Sequence, residues 1–131
     1  LLFVGDAQVG NWQSWAALQF KVPGRETPLP AHDLLARTVF YKVGHHCSHN
    51  ATLREGGLEL MTRKDLVAFI PLDKATAQKQ KWDMPAGPLF TRLGEKTGGR
   101  VVISDVKEKL TPEAAAAGVI ATETCIDYYL K

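Results

Sequence analysis

The sequence TVFYKVGHHCSHN occupies residues 38–50 and decides how the chain is interpreted. Its first half, 38–43, alternates in side-chain character and is rich in β-branched and aromatic residues, which is typical of a β-strand. Gly44 ends this strand, and three of the chain's four histidines lie between His45 and His49 in the polar loop that follows. Loops at strand ends often carry reactive groups in α/β proteins, because the sheet holds them rigidly while leaving them accessible.

A second stretch of the same kind lies at the start of the chain. Leu1–Val4 is fully apolar and predicts a buried strand, and Gly5 turns the chain into Asp6. Neutral imidazole is the commonest ligand of zinc-like metals, and a carboxylate can complete such a site. If the two strands are neighbours, Asp6 and the pair His45/His46 meet at one edge of the sheet. The alternatives are that Asp6 only forms a turn or helix cap and that the histidines are solvated surface.

The remaining pattern predicts strands that alternate with helices. Further strands are predicted at 66–72, 101–104 and 120–130, and helices at 57–62, 86–97 and 111–117. Another helix is predicted to begin at Asn11, with Trp12, Trp15, Ala16, Gln19 and Phe20 on its apolar face. Strands alternating with helices predict a layered α/β fold.

Composition limits the class of protein. The 131 residues carry a net charge of +2 and are 45% hydrophobic and 23% charged, which suits one globular domain and argues against disorder or coiled coil. No apolar run approaches the roughly 18 residues needed to cross a bilayer. The charge is too small to indicate nucleic-acid binding by itself. Two cysteines cannot build a disulfide framework, so a cytoplasmic location is the expectation.

The paired motifs at 2–7 and 41–50 resemble the second half of a metallo-β-lactamase-fold hydrolase. The most similar kind is the hydrolase domain of DNA-uptake competence proteins. The resemblance runs from Leu1 to about Asp105, since 66–71 and the segment GRVVISD at 99–105 also match in kind and order. It implies an α/β fold that is the C-terminal half of an αββα sandwich, with 1–131 forming a single partial domain. A chain that opens on the apolar run Leu1–Val4 is also expected to be a fragment.

The resemblance also implies roles for individual residues. Asp6 matches the aspartate that bridges two metal ions, expected to be zinc, with manganese as an alternative. His45 or His46 matches the last metal-binding histidine, and His45 ranks first because it directly follows Gly44. The catalytic residues implied are Asp6 and His46. Ser48, His49 and Asn50 would line the mouth of the site and bind an anionic substrate.

The function implied is a metal-dependent hydrolase that cleaves a phosphodiester or another anionic ester, nucleic acid included, through a metal-bound hydroxide. The alternative is a non-catalytic module of the same fold with a binding or regulatory role. The His-x-His-x-Asp-His motif that supplies most metal ligands in this family is absent from the chain. The chain alone is therefore expected to bind metal weakly or not at all. Its expected partner is the missing N-terminal half of the fold or a second copy.

Cys47 departs from the family pattern, in which glycine is usual at this position. Two interpretations follow from the residue type. The cysteine is either a simple steric substitution or a soft ligand that competes for metal.

Overall fold

A computed structural model describes residues 1–105 and 109–130. Its four-stranded parallel sheet has the order β1-β4-β5-β6, formed by β1 (Leu2–Phe3), β4 (Phe40–Lys42), β5 (Val67–Ile70) and β6 (Val101–Ile103). Two antiparallel pairs join β2 (Gln19–Phe20) to β3 (Leu29–Pro30) and β7 (Val119–Ala121) to β8 (Ile126–Tyr128). The helices are α1 (Val9–Trp15), α2 (Ala31–Ala36), α3 (Lys74–Lys79), α4 (Gly87–Thr97) and α5 (Pro112–Ala116). The coarse prediction of an α/β fold is confirmed.

The larger core lies on one face of the parallel sheet. Tyr41 and Val43 from the β4 segment and Ile70 from β5 are fully buried there. Trp12 of α1 and Leu93 of α4 cover them, so α1 and α4 pack on this face. Trp12 is therefore a core residue, and its indole Nε1 donates to the carbonyl of Ala51 at 3.0 Å.

The opposite face of the sheet is only partly covered. Val67 and Val102 pack there against α5 and the β7–β8 hairpin. These elements do not extend over β1, where Phe3 has 63% of its surface exposed. An aromatic row runs across this face, with ring centroids 5.4 Å apart between Phe3 and Phe40 and 5.1 Å apart between Phe40 and Phe69.

Helix ends follow the sequence signals at α4 and α5. Gly98 closes α4 in the left-handed conformation, and the hydroxyl of Thr111 accepts a hydrogen bond from the N–H of Ala114 to start α5. No described helix is long and apolar enough to cross a membrane.

Four predicted elements differ from the structure. The strand predicted to be buried at Leu1–Val4 is the edge strand β1, and Leu1 and Phe3 are exposed because no further strand in the described part of the chain pairs with it. Helix α1 begins before Asn11, whose side chain instead accepts a hydrogen bond from the N–H of Gln8. The helix also ends at Trp15, and the segment Gln19–Phe20 pairs as a strand, so the predicted apolar face was too long. The predicted strand 120–130 is wrong in one respect, because a turn at 122–125 folds it into the hairpin of β7 and β8. The predicted helix 57–62 is a single 3-10 turn at Leu58–Leu60.

Candidate functional site

The loops that follow β1 and β4 lie side by side at one edge of the sheet. The two strands are parallel neighbours, with Leu2 opposite Tyr41 and Phe3 opposite Lys42. Beyond the strands, the N–H of His45 donates to the carbonyl of Gly5 at 3.1 Å. Farther along, the N–H of Val9 donates to the carbonyl of Asn50 at 3.1 Å. The loop that carries Asp6 is therefore fixed to the loop that carries the histidines.

Gly44 permits this close approach. A Cβ at this position would lie 2.7 Å from Cγ2 of Val4 and 3.0 Å from the carbonyl oxygen of Gly5. The φ of Gly44 is −73°, so the requirement is one of space and not of backbone conformation. Any side chain at this position would press the two loops apart.

Directly after Gly44 the chain makes a turn with unusual backbone angles. The φ angles of His45, His46 and Cys47 are 43°, 54° and 61°, all in the left-handed region that non-glycine residues seldom adopt. Each such residue costs roughly 1–2 kcal/mol, and strain of this kind often marks functional sites. The turn is held from outside by the N–H of Ala86, which donates to the carbonyl of Cys47 at 2.8 Å.

The side chain of Cys47 is a packing group. It is fully buried, and burial raises the pKa of its thiol to about 12. The side chain packs in the core cluster with Tyr41 and Val43, so it is not presented to an ion at the surface of the sheet edge. Of the two interpretations of this cysteine, the structure favours the steric substitution. The left-handed φ also explains why glycine suits this position.

The two histidines make different contacts. His46 is exposed, and its Nδ1 lies 2.5 Å from the carbonyl oxygen of Pro71, just beyond β5. A carbonyl only accepts, so Nδ1 of His46 carries the proton and Nε2 is left with its lone pair. His45 is half-buried, and its Nδ1 lies 3.0 Å from the hydroxyl of Ser48. The two ring centroids are 6.5 Å apart.

The histidines fit a metal ion as donors, but the set is incomplete. Imidazole binds metals through a lone pair, and a hydrogen bond from the other ring nitrogen commonly orients it. Asp6 is exposed on the neighbouring loop. Within 1–105 and 109–130, no three His, Cys, Asp or Glu side chains are arranged to hold one metal ion. The structure thus brings Asp6, His45 and His46 to one edge without closing a coordination shell around them.

The polar residues predicted to line the mouth of the site divide into two groups. Ser48 is buried and bonded to its neighbours, and Asn50 is half-buried. His49 is exposed and faces a groove of about 570 Å³ that also contacts Arg54 and Leu58. Arg92 lines the same groove, but its guanidinium is paired with Glu59 and Glu95 at 2.7 Å each. Arg54 lies 3.6 Å from the same Glu59 with 75% of its side chain exposed, so it is the less neutralised of the two arginines in the groove.

Two contacts that shape this site are not indicated by any pattern in the sequence. One is the carbonyl of Pro71, which orients His46. The other is Thr52, whose hydroxyl lies 2.7 Å from that of Tyr41 and anchors the loop after the histidines to the core. The apolar run at 66–72 predicts a strand that ends near Pro71. The end of that strand is the signal that indicates the location of Pro71 at the same edge of the sheet.

Comparisons with known protein families, curated proteins and solved structures found no match to this chain.

Proposed function

We propose that the chain is the C-terminal half of a metallo-β-lactamase-like sandwich and part of a metal-dependent hydrolase. The observation that carries the proposal is the hydrogen bond between the loops after β1 and β4, in which the N–H of His45 donates to the carbonyl of Gly5. This contact keeps the carboxylate of Asp6 and the imidazoles of His45 and His46 at one edge of a parallel sheet. Reactive groups in α/β proteins commonly lie at this edge.

The chain's own residues would hold the metal as follows. His45 and His46, each through Nε2, and Asp6, through its carboxylate, would hold divalent ions, zinc or alternatively manganese. When bound, the ions would activate water and polarise the scissile group. The catalytic role proposed for His46, the more exposed imidazole, and for Asp6 is that of ligands holding the ions. Of the three residues predicted to bind substrate, Ser48, His49 and Asn50, His49 is exposed and is the one proposed to contact it.

The substrate class rests on the family resemblance, which suggests a phosphodiester or another anionic ester, including nucleic acid. Fold alone does not set function, so the chemistry of the site has to be tested directly. A cytoplasmic location belongs to the same proposal.

A companion sheet is the second part of the proposal. Both sheets of a sandwich bury their inner faces against each other. The aromatic row of Phe3, Phe40 and Phe69 lies on the partly covered face of this sheet. We assign this face to the missing half of the fold, and in its absence to a second copy. The companion would supply the remaining metal ligands.

The experiment is a hydrolysis assay with bis(p-nitrophenyl) phosphate and added zinc or manganese. It compares the chain alone with the chain co-expressed with the polypeptide encoded directly upstream of Leu1. We expect turnover only by the assembled pair, its loss on chelation, and its loss in Asp6→Asn and His46→Gln. The variant Lys79→Gln, in exposed α3, is the matched control and should keep full activity.

Turnover that is unaffected by both site variants would overturn the proposal. Metal binding by the assembled pair without turnover of any ester would favour the alternative, a binding or regulatory module of the same fold.

A further inference from the structure

The hydroxyl of Ser48 lies between two side chains of the candidate site. Its oxygen is 2.9 Å from Oδ1 of Asn50 and 3.0 Å from Nδ1 of His45. Ser48 itself is buried, with 4% of its surface exposed. Both contacts are formed within the loop 45–50, so the arrangement belongs to the loop itself.

Counting protons fixes the direction of both hydrogen bonds. A serine hydroxyl has one proton, and here it is donated to Oδ1 of Asn50, which can only accept. No proton is then left for His45, so Nδ1 of His45 must donate to the oxygen of Ser48. The neutral imidazole has one N–H, and its Nε2 is therefore a lone pair.

His46 has the same Nδ1-protonated tautomer for a different reason. Its Nδ1 donates to the carbonyl of Pro71, a backbone group that no substitution removes. The tautomer of His46 is thus set by the fold, whereas that of His45 is set by two replaceable side chains. This difference makes His46 an internal reference for any experiment on His45.

We propose that Ser48 and Asn50 are positioning residues that hold His45 in its Nδ1-protonated tautomer and keep Nε2 available as a donor to a divalent cation. The cation rests on the proposed function, whereas the tautomer rests only on the hydrogen bonds. Groups that orient a metal-binding histidine in this way commonly change metal affinity when they are removed. In this role the hydroxyl of Ser48 has no free proton to donate to a substrate. Among the three residues predicted to bind substrate, the exposed His49 is therefore best placed to contact it.

The first experiment reads the tautomer directly. Long-range ¹H–¹⁵N NMR spectra of the ¹⁵N-labelled chain, recorded above the ordinary histidine pKa of about 6.5, distinguish a protonated ring nitrogen from one with a lone pair. We expect both His45 and His46 to be protonated at Nδ1. In Ser48→Ala, His45 should move towards the Nε2-protonated form that free imidazole side chains favour, and Asn50→Leu should weaken the preference.

Three controls separate this effect from misfolding. Ser48→Thr keeps a hydroxyl and should retain the wild-type tautomer of His45. Ser14→Ala removes an exposed serine of α1 and should change neither histidine. His46 should stay protonated at Nδ1 in every variant, which reports that the turn is folded. An Nε2-protonated His45 in the wild type, or one unchanged in Ser48→Ala, would overturn the proposal.

A second readout tests the cation. Zinc titrations followed at Nε2 of His45 should give an affinity roughly 10-fold or more weaker in Ser48→Ala than in Ser48→Thr. Equal zinc affinities in the two variants would overturn the part of the proposal that concerns the cation. If the tautomers are as stated and zinc binds neither the chain alone nor the assembled pair, the proposed function fails and the tautomer assignment stands.

Discussion

Three consecutive residues, His45, His46 and Cys47, combine chemistry with backbone strain. All three have a left-handed φ, and the strained turn aims two imidazoles outward while burying the thiol between them and the core. Strain of this kind persists only where the surroundings hold it. Here the carbonyls of Gly44 and Cys47 are both bonded within the folded chain, at 2.9 Å and 2.8 Å.

The left-handed turn predicts an unusual order of stability among variants of Cys47. Cys47→Ala and Cys47→Gly both remove the thiol, but only alanine keeps a Cβ in the left-handed conformation. We expect Cys47→Gly to be more stable than Cys47→Ala by about 1 kcal/mol in chemical unfolding. Ala115→Gly, at an exposed position of α5, is the matched control and should show the ordinary loss of about 1 kcal/mol. A more stable Cys47→Ala would contradict the turn.

The sequence predicted the site at the level of single residues only in part. Polar residues directly after two strands predict that Asp6 and the histidines share one edge of the sheet, and the structure has them there. The hydrogen-bond partners cannot be predicted from the sequence, because the carbonyl of Pro71 lies next to His46 only when β4 pairs with β5. The buried state of Ser48 likewise depends on how the loop packs, which no local pattern encodes.

Among the elements, the junction of β1 and β4 depends on the absence of a side chain at Gly44. Gly44→Ala places a methyl group 2.7 Å from Val4, so we expect a loss of about 1–3 kcal/mol in the free energy of unfolding. The N–H resonance of His45 should shift at the same time, since its bond to Gly5 is strained. Gly10→Ala in α1 meets no atom within 4 Å and should be neutral or stabilising. An unperturbed Gly44→Ala would show that the two loops are not in contact.

A second junction joins the 3-10 turn at Leu58–Leu60 to α4. The guanidinium of Arg92 donates to both carboxylate oxygens of Glu59 at 2.7 Å. This contact lowers the pKa of Glu59 to about 2. A carboxyl whose pKa is depressed in the folded state contributes stability above its unfolded pKa of 4.5 and loses it as the pH falls towards 2.

This ion pair predicts a pH dependence of stability. Between pH 5 and pH 2, the wild type should lose about 1–2 kcal/mol more unfolding free energy than Glu59→Gln, a figure reduced for partial exposure. Urea unfolding at several pH values measures it. Arg92→Gln should flatten the same slope, because it removes the partner. Identical slopes in wild type and Glu59→Gln would rule out the contact.

Element boundaries show where local patterns mislead. The alternation from Ile120 to Leu130 continues through a turn, because Thr122 and Cys125 close it with a backbone bond of 2.8 Å without breaking the side-chain pattern. Helix α1 stops at Trp15 because the next segment pairs with β3, a tertiary contact that outweighs helical periodicity. Capping signals at α4 and α5 were reliable, since they act within a few residues.

For the whole molecule, the partly covered face of the sheet predicts association. Tyr128 of β8 stacks on Phe40 and Phe69, with ring centroids 5.9 Å and 6.2 Å away, so the apolar surface left in contact with solvent is at Phe3 near β1. We expect the chain alone to self-associate, and Phe3→Ser to shift the equilibrium towards monomer in sedimentation velocity. Trp82→Ser removes another exposed aromatic side chain, away from this face, and should leave the equilibrium unchanged. A wild type that stays monomeric at all concentrations would contradict the assignment of this face to a partner.

The most direct test of the account is a zinc titration of the ¹⁵N- and ¹³C-labelled chain near neutral pH. The account predicts that Nε2 of His45 and of His46 and the carboxylate of Asp6 respond together, while His32 and His49 do not. The binding should be weak, because a stable site needs three or four protein ligands for each ion and this edge supplies an incomplete set. Tight stoichiometric binding would contradict the incomplete ligand set. Zinc-dependent shifts confined to residues other than these three would contradict the claim that the ends of β1 and β4 form part of a metal centre.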